Sequence, residues 1–428
     1  MRKILFAYLL FLFLFPIYTV VVLDRDPSII DELALIAFGG IVLVNNLLRS
    51  NFKIHILFGA FSILYFYSLL LNFFIGIDFI FSVKSIYYSY QFVIYVYIMS
   101  SIKMSFNDYK KLFHFFEVIF FVICLIGLVD WSFDNQILSY AGYETYGRYG
   151  LYRLRSVFAH PVSMGWLSAV FCLYYTFRFF GNYTFNKKHS NIINCKLLFS
   201  IIILVLTNSR KSWISFIIVS FVFMLFYYYP YFNYRKKTKL IVSGILLVSL
   251  FLILANTQLR FYYDVTKEGY VDKYDEVARV MLYVVGFKIV VDRFPFGVGV
   301  GKFGGINSTN PYSEIYYEYD LSNIWGLTPH KSNFITDGYW HKPIGELGFL
   351  GISLYFFLFA CLIRKLSKKI DFIKNYEYSI FAVFSLGILI LTIIEGVFAA
   401  NFTDNFFTFF AIGLPVLLIT IKHDEKKE

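Results

Sequence analysis

Four segments of this sequence concentrate side chains suited to holding an anion or moving a proton. The first, RYGLYRLRSVFAHPVSMGW, carries Arg148, Arg153, Arg155 and His160. The second, LTNSRKSW (Leu206–Trp213), sets Arg210 and Lys211 between two apolar runs. The third, EVARVMLYVVGFKIVVDRFPFGVGVGKFGG, holds Arg279, Tyr283 and Arg293. Arg279, Tyr283 and Gly286 fall at i, i+4 and i+7, so they share one helix face. A guanidinium keeps its charge and offers a planar fork that matches phosphate bidentately. Anion binding is the chemistry these segments suggest, against the plainer roles of snorkelling to lipid head groups or pairing with an acid.

The fourth segment, HKSNFITDGYWHKPIGELGFLGISLYFF, contains His330, Asp337, His341 and Glu346. A carboxylate or a neutral imidazole suits a base that activates a hydroxyl. Asp337, Glu346 and His330 are therefore the catalytic candidates and His341 a secondary one. Capping or solvating a helix start is the alternative, and the simpler one for both histidines. Glu117 and Glu395 interrupt apolar runs, where ionisable residues are functional suspects. Glu117 has Lys110 and Lys111 nearby as expected partners; Glu395 is the better suspect. Gly299, Gly301 and Gly304 spell G-x-G-x-x-G but follow Pro295 and no βαβ pattern, so a dinucleotide site is excluded and a tight turn expected. Cys124, Cys172, Cys195 and Cys361 have no metal-ligand spacing. Neither a metal nor a cofactor is expected.

The elements that must position these residues are membrane spans. The 428 residues are 58% hydrophobic, 22% aromatic and only 16% charged, with a mean hydropathy of +0.63. Soluble domains average about 25% charged residues. Apolar runs of about 20 residues, the length that crosses a hydrocarbon core about 30 Å thick, recur throughout. The expectation is an all-α polytopic membrane protein of about twelve spans: 4–23, 29–48, 54–76, 79–101, 112–130, 161–180, 193–208, 212–229, 240–256, 343–363, 378–398 and 402–421. The first run lacks a small-residue cleavage site before DRDPS, so it reads as a retained span rather than a signal peptide.

Every second short loop is rich in Lys and Arg, which makes that side, with both termini, cytoplasmic. This bias accounts for the net charge of +11 without nucleic acid. All five tryptophans then fall on the outer side, as an interfacial belt and loop residues. The outer features are a loop at 131–160, the 206–213 turn, and a large loop at 257–342 between spans nine and ten, within a single membrane domain covering 1–428. Val277–Val291 is too short for a span, and counting it would invert RKLSKK, so it reads as an interfacial helix. Outer arginines are not the default, and a phosphate-bearing ligand gives them a reason.

In order and placement, the segments resemble the O-antigen polymerase and ligase superfamily of bacterial envelopes. RLRSVFAHPVSMG resembles its Arg-small-x-Phe-x-x-Pro helix opening, and LTNSRKSW its Ser-Arg turn. ARVMLYVVGFKIVVDRFPFGVGVGKF resembles its Arg-led helix running into Pro-x-Gly-x-Gly, and DGYWHKPIGELGFLG its closing Glu-x-Gly-x-x-Gly. The resemblance covers residues 150 to 360. It implies a metal-independent, inverting glycosyltransferase on the outer face of the inner membrane. The donor would be a glycan on undecaprenyl pyrophosphate, with Arg155, Arg210 and Arg279 holding the pyrophosphate. Lys211 has no counterpart role and is expected to anchor head groups. Ligase-like members carry His-Asn nine residues before the motif glutamate. Here that place is taken by Asp337, with His330 or His341 able to substitute after a small shift; the Asp favours the polymerase, acting on O-antigen, capsular or other repeat units, over the ligase that transfers to lipid A-core. A non-enzymatic polysaccharide flippase is the remaining alternative; it would place its charges within spans. Implied partners are lipid-linked glycans and membrane lipids, with a chain-length regulator and a flippase of the same pathway.

Overall fold

The computed structural model describes residues 2–18, 28–48, 55–139, 147–148, 151–158, 160–185, 191–228, 231 and 277–421. The long helices are α1 (Arg2–Tyr18), α2 (Ser28–Leu48), α3 (Ile56–Ile75), α4 (Phe79–Tyr90), α5 (Phe92–Ser101) and α6 (Phe106–Ser132). They continue with α7 (Pro161–Thr184), α8 (Asn191–Leu206), α9 (Arg210–Phe223), α10 (Ala278–Asp292), α11 (His341–Ser367) and α12 (Tyr376–Glu395). A π-helical turn, Met224–Tyr228, extends α9, and a second, Phe409–Gly413, joins Asn405–Thr408 to α13 (Leu414–Thr420). Two strands of two residues, Gly147–Arg148 and Leu151–Tyr152, pair antiparallel. The chain is an all-α polytopic membrane protein. Six helices among the described residues are long and apolar enough to cross a membrane. Eleven of the expected spans fall wholly or in part on described helices, whereas 19–23 of the first span, 240–256 and the first part of the large loop, 257–276, lie outside the described residues.

Helix ends follow local chemistry. Ser105 caps α6 by accepting the Asp108 N–H, and Asn375 caps α12 by accepting that of Tyr378. Gly76 closes α3 in the left-handed region (φ 80), a conformation glycine takes without a Cβ penalty. The helix α7 is buried on all sides over most of its length and runs through the middle of the bundle. Its Trp166 is fully buried and edge-on to Phe407 at 4.6 Å, so it belongs to the core and not to an interfacial belt.

Polar contacts between helices gather at two places in the bundle. Arg178–Glu377, Lys196–Glu117 and Tyr376–Asn182 contacts mark one end. Glu117 pairs with Lys196 at 2.8 Å and not with Lys110 or Lys111 as expected, because α8 packs along α6 there. The opposite end carries the arginine segments and a second small core. In that core Leu282, Val285 and Ile289 of α10 pack on Phe303, Tyr316, Leu327 and Ile335. The other face of α10 exposes Val284, Phe287 and Val291. At 15 residues α10 is about 22 Å long, too short to cross.

The glycine run docks this cap onto the bundle. Val298 and Gly299 donate backbone N–H groups to the Gly345 and Glu346 carbonyls at 3.1 and 3.0 Å. Asn72 of α3 clasps Val300 from the other side, accepting its N–H at 2.7 Å and donating to its carbonyl at 3.0 Å. Gly301 has φ +96, and a Cβ there would stand 2.4 Å from Ser85 Oγ. Gly348 breaks α11 (φ 66, ψ −165) where a Cβ would meet the Phe296 backbone at 2.2 Å. The G-x-G-x-x-G pattern is therefore a close-packed joint.

Candidate functional site

The site is built around the turn between α8 and α9. Asn208 takes a left-handed backbone (φ 47), tolerable for Asn, and reverses the chain. Buried Arg153 pins this turn through Nε to the Thr207 carbonyl at 3.0 Å and Nη2 to that of Asn208 at 3.3 Å. The Leu154 N–H donates to the Leu206 carbonyl at 3.0 Å. The first arginine segment thus lies directly on the second. Arg155 is fully buried, next to Ser156, whose hydroxyl donates to the Ile123 carbonyl of α6 at 2.6 Å.

Arg210 and Lys211 occupy the first two positions of α9. Cations at a helix N-terminus oppose the macrodipole, which favours anions there. Acceptors below the turn offset this for Lys211. Its Nζ donates to the Phe398 carbonyl at 3.0 Å, and it lies within electrostatic reach of Glu395, Asp337, Arg279 and Arg153. Glu395 is fully buried and accepts from Ser215 Oγ at 3.0 Å and Asn401 Nδ2 at 3.3 Å. Lys211, expected to anchor head groups, instead turns inward to this cluster.

The third segment reaches the same place through Phe398. Arg279 Cζ stands 6.0 Å over the Phe398 ring. Its Nε donates to the Asp337 backbone carbonyl at 3.0 Å and its Nη2 pairs with Asp337 Oδ2. One turn along α10, Tyr283 donates to the Val397 carbonyl at 3.0 Å. Burial pushes the Tyr283 hydroxyl up to about 12, so it stays protonated and keeps donating. Residues 396–398 are thus held from three sides, since Tyr339 N–H also donates to the Gly396 carbonyl at 2.8 Å.

Of the remaining candidates His341 borders this cluster, and the others stand apart from it. Glu346 is fully buried, with Oε1 accepting the Gly301 N–H at 2.7 Å, so it faces the glycine joint. His341 is fully buried too; its Nε2 donates to the Ile335 carbonyl at 3.1 Å and its ring meets Tyr283 edge-on at 5.4 Å. A carbonyl only accepts, so Nε2 carries the proton. His330 is exposed in the Thr328–Lys331 turn and touches none of these residues. His160 caps α7, accepting the Val162 N–H at 3.1 Å. Arg293 pairs with both oxygens of Glu318, at 2.8 and 2.7 Å, which holds its guanidinium above the ordinary range and ties α10 to the cap. The Arg148 side chain lies outside the described residues.

Sequence reasoning missed Phe398, Asn72 and the inward role of Lys211. Asn72 carried a signal, as a polar residue in ILFGAFSILYFYSLLLNFFI able to bond across helices. Phe398 carried none in a sequence so rich in phenylalanine. Among the described residues, no group of three or more His, Cys, Asp or Glu is placed to hold a metal ion.

Comparison with known proteins adds one match. Residues 196–356 fit the family model described as O-Antigen ligase. That range contains Arg210, Lys211, Arg279, Asp337 and Glu346, while Arg153, Arg155 and Glu395 lie outside it. No curated protein matches the chain.

Proposed function

With the family match supporting membership of the O-antigen ligase/polymerase superfamily as its premise, we propose that the chain is the polymerase of lipid-linked oligosaccharide repeat units. It transfers the growing glycan from undecaprenyl pyrophosphate to the next unit on the outer face of a bacterial inner membrane, with both chain termini cytoplasmic. The family itself carries the coarser statement, membrane glycan processing of the O-antigen type. The observation that carries the finer reading is the Arg279–Asp337 pair set on Phe398 beside Lys211. It joins a fixed cation to a carboxylate at the N-terminal end of α9, where an anion is favoured.

In this reading Arg155, Arg210 and Arg279 hold the donor pyrophosphate, and Lys211 adds a point charge. Arg279 exchanges its Asp337 carboxylate for a phosphate oxygen. The released carboxylate accepts the proton of the acceptor hydroxyl as that oxygen attacks the anomeric carbon. The bond to pyrophosphate breaks on the opposite face, which inverts the centre and leaves undecaprenyl pyrophosphate. Negative charge grows on the leaving group as the bond breaks, so preplaced cations stabilise the transition state more than the ground state. Glu346 acts here as a positioning residue through the glycine joint. His330 has no part in the step.

Asp337 stands where ligase-like chains carry histidine, and His341 is buried on a carbonyl. Both points favour the polymerase over the ligase. Deletion of the gene should leave surface glycan of a single repeat on core, with the ladder gone. A normal ladder overturns the reading; core without any repeat, with lipid-linked polymer accumulating, assigns the ligase.

A further inference from the structure

At the end of the bundle opposite the arginine cluster, α6, α7, α8 and α12 line an open cavity of about 550 Å³. Its charged lining is Lys110, His114, Glu117, Arg178, Lys196 and Glu377. Beside it a groove of about 440 Å³ runs between α6 and α8, lined by Phe121, Leu125, Cys195 and Phe199. Ile192 and Lys196 line both spaces. The Lys196 ammonium stands at the junction, 5.5 Å over the Phe121 ring.

The charges in the cavity do not balance. Glu117 is taken by Lys196 at 2.8 Å, Tyr175 at 2.7 Å and His114 at 3.0 Å. Glu377 is taken by Arg178 at 3.1 Å. Two carboxylates thus face three permanent cations, and Lys110 is left over the Phe106 ring at 5.2 Å with no carboxylate partner among the described residues. A polar cavity with one surplus positive charge, continuous with an apolar groove, has the form of an amphiphile's site.

We propose that this is a binding site for one anionic glycerophospholipid of the phosphatidylglycerol type. Its phosphodiester sits among Lys110, Lys196 and Arg178, and one acyl chain lies along the α6–α8 groove over Cys195. Basic pockets between spans on the cytoplasmic side favour anionic head groups. A single phosphodiester cancels the surplus charge, whereas an ethanolamine or choline head adds a cation where both carboxylates are occupied. The lipid would brace α8, whose other end carries the 206–211 turn.

Cys195 is the native reporter. It is exposed, Cys124 and Cys172 are buried, and Cys361→Ser removes the partly exposed fourth thiol. Alkylation of Cys195 by a small maleimide is followed in the detergent-solubilised full chain. Phosphatidylglycerol, phosphatidylethanolamine or phosphatidylcholine is added near equimolar ratio. Phosphatidylglycerol should slow the reaction several-fold while the other two do not, and Lys110→Gln should abolish the difference. Lys196→Gln strips Glu117 of its partner and risks misfolding; Lys110→Gln breaks no ion pair. Native mass spectrometry should show one retained phosphatidylglycerol on the unsubstituted chain and none on Lys110→Gln. Equal protection by all three lipids, protection by none, or preference for phosphatidylethanolamine each overturns the proposal.

Discussion

Replacing Asp337 by Asn separates the two roles this carboxylate plays in the proposed reaction. Asp337 meets Arg279 through both its backbone carbonyl and its side chain, and the two side chains are 36% and 25% exposed. A pair so open to water is worth about 0–1 kcal/mol. A pyrophosphate can therefore displace the carboxylate at small cost, and the backbone contact persists in the variant. Donor affinity should hold or rise, by no more than about fivefold for ~1 kcal/mol. Turnover should move the other way. A lost general base costs roughly 10²–10⁴ in rate, and the amide cannot accept the hydroxyl proton. The assay is ladder formation by purified protein in vesicles, followed at several donor concentrations so that kcat and KM separate. A kcat within about tenfold of wild type refutes Asp337 as the base. A raised KM with unchanged kcat would make it a tether for Arg279 instead.

Arg279→Lys should lose at least one charge-assisted hydrogen bond to pyrophosphate. The loss of about 1.5–3 kcal/mol is roughly a 10- to 150-fold fall in kcat/KM, and full ladder activity would reduce Arg279 to a lipid anchor. Glu346→Ala leaves the Gly301 N–H without its acceptor and should cost about 1–3 kcal/mol, read as a lower melting temperature. Glu346→Gln keeps an acceptor and should keep most activity; an inactive Gln variant with unchanged melting would restore Glu346 as a base. Gly301→Ala forces an L side chain to φ +96 against Ser85 and should destabilise by about 1–3 kcal/mol, measured in the same melting experiment. Chelation of divalent cations should leave turnover unchanged, and loss restored by added Mg²⁺ or Mn²⁺ would contradict metal independence.

The spans were legible because a bilayer imposes one length and one composition, so α3, α6 and α12 announce themselves as runs. Arginine segments were legible as well, since a cation next to an apolar run needs a reason. What each cation touches was not, because that depends on a third chain segment with no local mark. Arg210 and Lys211 are adjacent in sequence and alike in charge, yet the Lys211 contact is settled by the Phe398 carbonyl, 187 residues away. Glu346 makes the converse case. Its residue type suggested a base, and the backbone N–H it accepts from Gly301 gives it a clasping contact that only packing reveals. The two closing motifs thereby explain each other. Pro-x-Gly-x-Gly supplies a backbone with no side chains in the way, and Glu-x-Gly-x-x-Gly supplies the acceptor and the broken helix that receive it. That joint holds α10 against α11, and α10 carries Arg279 to Asp337. The glycines far from any chemistry therefore set where the one mobile ion pair of the proposed reaction stands, and loosening the joint should misplace it before it unfolds the bundle.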